Sequence, residues 1–121
     1  LSGLFKIKDS YNIDAIATLV GTAAMRDQAY KNECAEKVKQ SRAKLAIDLK
    51  QLGWKVWESQ TNFLLTQPQN NAEEIYLALK ERGILVRYFN QPGLGDKLRI
   101  TVGTDEQNQT LIEALTCDHN L

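Results

Sequence analysis

The segment Leu98–Asn108, LRITVGTDEQN, most constrains the fold, because it alternates apolar and polar residues and then passes directly into a capped helix. Successive side chains of an extended strand point to opposite faces of its sheet. The apolar residues therefore share one face, which suits packing against helices: Leu98, Ile100 and Val102. The other face carries Arg99 and Thr101, so the pattern predicts a strand that presents a guanidinium on the side away from the core.

Arg99 is the first candidate functional residue. A guanidinium is a planar group with five N–H donors, and it binds a carboxylate or phosphate through two parallel hydrogen bonds. A rigid strand would fix the position of such a group. The alternative is a surface arginine that forms a structural ion pair with a nearby Asp or Glu, which is a common arrangement.

Length and composition exclude several classes of protein. The 121 residues suit one domain, and 15 Lys plus Arg balance 15 Asp plus Glu,. Without a basic surface, neither nucleic acid nor an anionic membrane is expected as a partner, and no segment has the length of a membrane span. Cys34 and Cys117 lie far apart in the sequence and the lone His119 lies in the polar tail, so no zinc ligand set and no metal site is expected,. The free thiols favour a reduced, cytoplasmic location.

Hydrophobic periodicity predicts four helices, and capping residues mark two of their starts. The first covers 13–25. The second has an apolar stripe from Tyr30 to Leu52 and ends at Gly53,. The third begins at Asn71, with Glu74 three residues later, and runs to Gly83. Thr104 and Gln107 form a second capping box, which opens the last helix.

Four strands are predicted, over 54–58, 62–66, 84–89 and 98–102,. From residue 62 onward the order is strand, helix, strand, strand, helix, which is the split βαβ arrangement. In that arrangement the last strand inserts between the other two and runs antiparallel to both. Arg99 would then lie on a central strand and share a sheet face with Leu85, Arg87 and Phe89. Two like charges so close would favour a bridging anion, unless Asp96 or Glu58 neutralises them locally.

The segment RGILVRYFNQPGLGDKLRITVGTDEQN, residues 82–108, resembles the C-terminal part of histidinol-phosphate aminotransferases, which are class II members of the fold-type I pyridoxal-phosphate transaminases. KDSYNIDAIA near the start and TNFLL at 61–65 resemble the same family. The resemblance implies an α+β fold, a two-layer α/β sandwich whose mainly antiparallel four-stranded sheet has helices on one face. It also implies that 1–12 is a linker from a large domain absent here, and that 13–121 is the small domain.

The same resemblance implies a transaminase that interconverts histidinol phosphate and imidazole-acetol phosphate with 2-oxoglutarate and glutamate. Pyridoxal phosphate and its Schiff-base lysine would belong to the large domain, so this chain alone is expected to be inactive and to hold no catalytic, cofactor-binding or metal residue. Arg99 matches the arginine that holds the substrate anion, Arg87 a second arginine that assists it, and Asn62 and Tyr11 positions near the cleft. Ser10 stands where the family often has proline.

The expected partners are a small-molecule substrate and a second copy in a cytoplasmic homodimer. Two alternatives within the family remain open at this point, a threonine-phosphate decarboxylase and an aromatic transaminase. A third alternative, from a different class, is a free-standing anion-binding or regulatory α+β module.

Overall fold

The computed structural model describes residues 13–117 together with Gly3 and Lys6. Most of the predicted linker 1–12, including Tyr11 and Ser10, therefore lies outside the described residues. The chain divides into two compact units, Leu1–Cys34 and Ala35–Leu121. No helix among the described residues is long and apolar enough to cross a membrane.

Residues 13–117 contain four helices and four strands. The helices are α1 (Ala15–Arg26), α2 (Gln28–Gln51), α3 (Ala72–Glu81) and α4 (Asp105–Cys117). The strands are β1 (Lys55–Val56), β2 (Phe63–Gln67), β3 (Arg87–Tyr88) and β4 (Leu98–Thr101). The first unit holds α1 and the start of α2, and the second unit holds the rest of these elements.

The strands form one antiparallel sheet in the order β1-β2-β4-β3. The strand β4 lies between β2 and β3 and runs antiparallel to both, which confirms the predicted topology. Its register places Arg99 directly opposite Leu65 of β2 and Arg87 of β3. Arg99 therefore lies on a central strand, as the sequence pattern predicted.

One face of the sheet forms the core of the second unit with α2, α3 and α4. The strands contribute Leu64, Leu98 and Ile100, each at most 2% exposed. The helices contribute eight further residues to the same cluster: Leu45, Leu49, Ala72, Ile75, Leu79, Leu111, Ala114 and Leu115. The architecture is thus α+β, with a four-stranded antiparallel sheet and helices packed on one of its faces.

The capping residues behave as predicted. Asn71 Oδ1 accepts hydrogen bonds from the backbone N–H groups of Glu73 and Glu74. At α4, Thr104 N–H donates to Gln107 Oε1 at 3.0 Å, and Gln107 N–H donates to Thr104 Oγ1 at 3.3 Å. This reciprocal pair satisfies N–H groups that the first turn of a helix leaves without partners.

The predicted strand 84–89 is wrong over its first half, because β3 includes only Arg87 and Tyr88. The N–H of Ile84 donates to the carbonyl of Leu79 at 2.9 Å, which completes the end of α3 after Gly83 adopts a φ of +76°,. Residues 84–86 then run beside β4 without pairing with it. A cavity of about 380 Å³ is lined by these residues and by the end of β4 and the start of α4.

The apolar stripe predicted for the second helix is buried only near its C-terminal end. Leu45 and Leu49 are fully buried, whereas Tyr30 is 65% exposed. The helix α1 buries no residue at all, and its Ile16 and Leu19 are 75% and 73% exposed. Helical periodicity identified these helices, but it does not specify which part of an apolar stripe is covered.

Candidate anion-binding site

The second face of the sheet carries the two candidate arginines. We call it the arginine face and define it by the alternating residues Phe63, Leu65, Arg87, Phe89 and Arg99. Arg87 and Arg99 are direct cross-strand partners, and both are exposed. Strand alternation places them on the same side, so the structure brings together two positive charges, as the sequence predicted.

Two phenylalanine rings flank these arginines. The Arg99 guanidinium carbon lies 5.1 Å from the ring centroid of Phe63 and 5.9 Å from that of Phe89. The Arg87 guanidinium carbon lies 5.3 Å from the same Phe89 ring. These distances are within the range of favourable cation–π contacts. Each guanidinium is therefore in contact with an apolar ring rather than with an acidic side chain.

Asp96, one of the two predicted acidic partners, has other contacts. Asp96 pairs with its neighbour Lys97 and accepts a hydrogen bond from Gln67 Nε2 at 2.8 Å. The hydrogen bond from Lys97 holds the pKa of Asp96 below its ordinary value. Among residues 13–117, no carboxylate lies within 4.0 Å of either guanidinium. Local neutralisation by Asp96 or Glu58 is thus not the arrangement in the described part of the chain.

Two further cations, Lys55 and Lys97, lie over the ring of Trp57. Lys55 Nζ lies 4.6 Å and Lys97 Nζ 5.8 Å from the ring centroid of Trp57. Lys97 Nζ also donates to the carbonyl of Gly93 at 2.9 Å. The ammonium of Lys97 is therefore held by an acid, a carbonyl and a ring. The arginines differ, because their guanidinium N–H groups have no protein acceptor among the described residues.

Asn62 and Tyr11 are the remaining predicted site residues. Asn62 lies just before β2, where its carbonyl accepts the N–H of Val102 at 2.8 Å. Its exposed side chain forms no hydrogen bond with another described residue. Tyr11 lies outside the described residues. The roles of Asn62 and Tyr11 at a cleft therefore stay predictions.

Sequence reasoning placed Phe89 on the correct face but gave it no role, and it missed Phe63. The contact of Phe63 with Arg99 depends on the cross-strand register, which places Phe63 opposite Thr101 and so diagonal to Arg99. A usable signal was present in the sequence, because Phe63 and Leu65 alternate with the buried Leu64. That alternation predicts that the Phe63 ring faces the same side as Arg99 once the two strands are paired.

The two lysines beside the arginine face, Lys55 and Lys97, do not form a pyridoxal-phosphate site. Such a site needs a lysine amine for the aldehyde and an acceptor for the ring nitrogen. The lysines beside the arginine face do not suit this role, because Lys97 is paired with Asp96 and Lys55 lies over Trp57. The arginines fit the anionic end of a ligand instead. No cluster of three or more potential metal ligands occurs among the described residues.

Comparison with known proteins identifies the family. The family model for aminotransferase class I and II matches residues 1–115. The chain belongs to this family. The family is pyridoxal-phosphate-dependent. The chain is 71% identical over 116 residues to histidinol-phosphate aminotransferase 1 of Nostoc sp., covering 95% of this chain and 33% of that protein. It is 47% identical to the histidinol-phosphate aminotransferase of Marinomonas sp., covering 95% and 34%.

Solved structures with the same fold include related enzymes. The histidinol-phosphate aminotransferase of Clostridium acetobutylicum matches with a TM-score of 0.85 and 22% identity, over 99% of this chain and 38% of its own. That of Sinorhizobium meliloti, in complex with pyridoxal-5'-phosphate, matches with a TM-score of 0.80 and 25% identity, over 94% and 32%. The chain thus spans about a third of the length of the curated relatives it matches.

Proposed function

We propose that this chain is the small domain of a histidinol-phosphate aminotransferase, and that Arg99 and Arg87 hold the anionic end of its substrate. The reaction would interconvert histidinol phosphate and imidazole-acetol phosphate with glutamate and 2-oxoglutarate, as a step of histidine biosynthesis. The observation that carries the proposal is the paired, exposed arginines on one sheet face, with no carboxylate within 4.0 Å among residues 13–117. The identity of 71% to a relative of that name supports the choice of substrate.

The arginine pair suits both partners of the proposed reaction. A phosphate monoester carries nearly two negative charges at neutral pH, and two guanidinium groups can balance them. A distal carboxylate carries one charge, and a single guanidinium can bind it through two parallel hydrogen bonds. Holding the far end of the substrate positions its reacting end, so the binding energy acts on orientation.

Pyridoxal phosphate would supply the electron sink of a transamination, and we propose that protein outside the described residues holds it. The 121-residue chain alone is therefore expected to show no transaminase activity when the cofactor is added. Turnover by the chain alone would contradict this part of the proposal. Assembly of the full-length enzyme as a homodimer and a cytoplasmic location stay predictions.

The test of the anion role is Arg99→Ala in the full-length enzyme. Loss of a charge-assisted hydrogen bond costs about 1.5–3 kcal/mol, so kcat/KM for histidinol phosphate should fall by about 10- to 150-fold. Arg99→Lys should recover part of this loss, because it restores the charge without the planar fork. The control is Arg26→Ala, which removes an exposed arginine from α1. Unchanged kcat/KM in Arg99→Ala would refute the assigned role.

A second candidate comes from one solved structure. The L-threonine-O-3-phosphate decarboxylase of Porphyromonas gingivalis matches with a TM-score of 0.61 and 31% identity, over 68% of this chain and 27% of its own. Its substrate, by that name, also carries a phosphate, so the same arginine pair would suit it. Substrate profiling separates the candidates: we expect amino transfer from histidinol phosphate to 2-oxoglutarate. Release of carbon dioxide from threonine phosphate, or a preference for aromatic amino acids, would favour the alternatives.

A further inference from the structure

The ring of Phe89 contacts both arginines of the proposed site. Its centroid lies 5.3 Å from the guanidinium carbon of Arg87 and 5.9 Å from that of Arg99, and Phe63 adds a second ring 5.1 Å from Arg99. We propose that Phe89 is a positioning residue that orients both guanidinium groups toward one ligand anion, with Phe63 supporting Arg99 from the neighbouring strand. This inference rests on the proposed function, because it presumes that the arginine pair binds an anion.

A ring stabilises these cations in a way that leaves them able to bind. The face of an aromatic ring is electrostatically negative, so it attracts a guanidinium and reduces the cost of holding two like charges across the sheet. A carboxylate would attract them more strongly, but it would occupy the N–H groups that a ligand anion needs. The side-chain rings of Phe63 and Phe89 have no conventional hydrogen-bonding atom. The donors of Arg87 and Arg99 therefore remain available.

The second effect of the rings is on conformational freedom. A free arginine side chain has many rotamers, and ligand binding must select one at an entropic cost. Contact with a flanking ring restricts these rotamers before the ligand arrives, which improves affinity through preorganisation. Phe89 is itself held in place: it is half-buried, and its carbonyl accepts the N–H of Gln91 at 2.8 Å, just after the end of β3.

The two phenylalanines should therefore differ in their importance. Phe89 contacts both guanidinium groups, whereas Phe63 contacts only that of Arg99. Removing the Phe89 ring should weaken anion binding more than removing the Phe63 ring. A matched control lies next to Phe89. Tyr88 is also aromatic, but its ring stacks on Tyr76 of α3, with centroids 5.8 Å apart, so it faces the helices and not the arginines.

The experiment uses the full-length protein loaded with cofactor, so that the cofactor's own phosphate site is filled, and titrates inorganic phosphate by calorimetry. Phe89→Leu should weaken phosphate binding by about 5- to 30-fold and Phe63→Leu by about 2- to 5-fold, from the usual strength of cation–π contacts. Phe89→Tyr, which keeps the ring, and Tyr88→Leu, which removes a ring from the other face, should both stay within about 2-fold of the wild type.

Kinetics add a readout that a purely structural role would not produce. If Phe89 orients the arginines, Phe89→Leu raises KM for the anionic substrate more than it lowers kcat, because binding to the ground state and the transition state weakens together. A variant that only loses folded protein lowers apparent kcat and leaves KM unchanged. The second pattern, or phosphate affinity of Phe89→Leu within about 2-fold of the wild type, would overturn the inference.

The controls separate failure of this inference from failure of the proposed function. If Arg99→Ala abolishes phosphate binding while Phe89→Leu leaves it intact, the arginines bind the anion and only the positioning role is refuted. If Arg99→Ala itself leaves phosphate binding intact, the proposed function and this inference fail together.

Discussion

A carboxylate introduced at Leu65 should block the proposed anion site without removing either arginine. Leu65 is half-buried and lies directly opposite Arg99 on β2. Its carbonyl accepts the N–H of Trp57 at 3.1 Å, so its backbone hydrogen bonds point toward β1 and not toward β4. Leu65 and Arg99 are therefore a pair without mutual backbone hydrogen bonds, the kind in which cross-strand side chains come closest. The carboxylate of a Leu65→Glu variant can reach the Arg99 guanidinium.

The expected effect follows from the strength of the new ion pair. A ligand anion must displace the introduced carboxylate before it can use the Arg99 donors, and a charge-assisted hydrogen bond is worth about 1.5–3 kcal/mol. Phosphate binding by Leu65→Glu should therefore be weaker by about 10- to 150-fold. The matched control is Leu65→Gln, which has the same shape and the same loss of apolar contact but no charge. The comparison between these two variants isolates the carboxylate.

The assay is calorimetric titration of phosphate into the cofactor-loaded full-length protein, at low and at high salt. The difference between the Leu65→Glu and Leu65→Gln variants should shrink as salt rises, because the Debye length falls from about 10 Å at 0.1 M to about 3 Å at 1 M. Equal phosphate affinities for the two variants at low salt would refute the reasoning that Arg99 is an open anion site opposite Leu65.

Two further predictions concern the fold. Leu79→Ala should lower the free energy of unfolding in denaturant by about 2–5 kcal/mol, because Leu79 is fully buried,. Leu77→Ala on the same helix should cost less than about 0.5 kcal/mol, because Leu77 is 49% exposed,. Similar losses in the two variants would contradict the assigned core. The hydrogen bond from Lys97 lowers the pKa of Asp96 in the folded protein below the ordinary value of 3.8. The ionised Asp96 carboxylate therefore stabilises the folded state above pH 3.8, and this stabilisation is lost as the pH falls through the lower folded-state pKa,. Between about pH 6 and about pH 2, the free energy of unfolding should therefore fall less in Asp96→Asn than in the wild type. An equal fall in the two proteins would refute this role of Asp96.

Local sequence signals predicted the elements that local chemistry determines. The alternation of β4 placed Leu98 and Ile100 in the core and Arg99 on the opposite face, and the structure agrees at each of these positions. The capping box of Thr104 and Gln107 predicted the start of the last helix for the same reason, since its hydrogen bonds join residues three apart. The split βαβ order then placed β4 between β2 and β3.

Features that depend on distant partners were less predictable. The run 84–89 has the composition of a strand, but its first half follows the end of α3 and does not pair with β4. The apolar residues of α1 predicted a helix correctly, yet periodicity cannot say what covers them. The contacts of Phe63 and Phe89 with Arg99 depend on strand register and on side-chain placement across three strands. The sequence therefore predicted the two arginines and Phe89 on one face, but not the contacts of the rings with the guanidinium groups, nor the role of Phe63.

The alternation of side chains along β4 also explains how the fold accommodates two arginines without a neutralising acid. Like charges directly opposite each other in a sheet cost a fraction of a kcal/mol to about 1 kcal/mol. Leu98 and Ile100, the immediate neighbours of Arg99, are at most 2% exposed, and burial of one such side chain contributes about 1.5–3 kcal/mol,. Leu98 and Ile100 face the helices and not the guanidinium groups. The free energy gained by burying them therefore outweighs the repulsion between Arg87 and Arg99. A change on the arginine face should therefore alter ligand binding strongly and stability weakly, and a change on the core face should do the reverse.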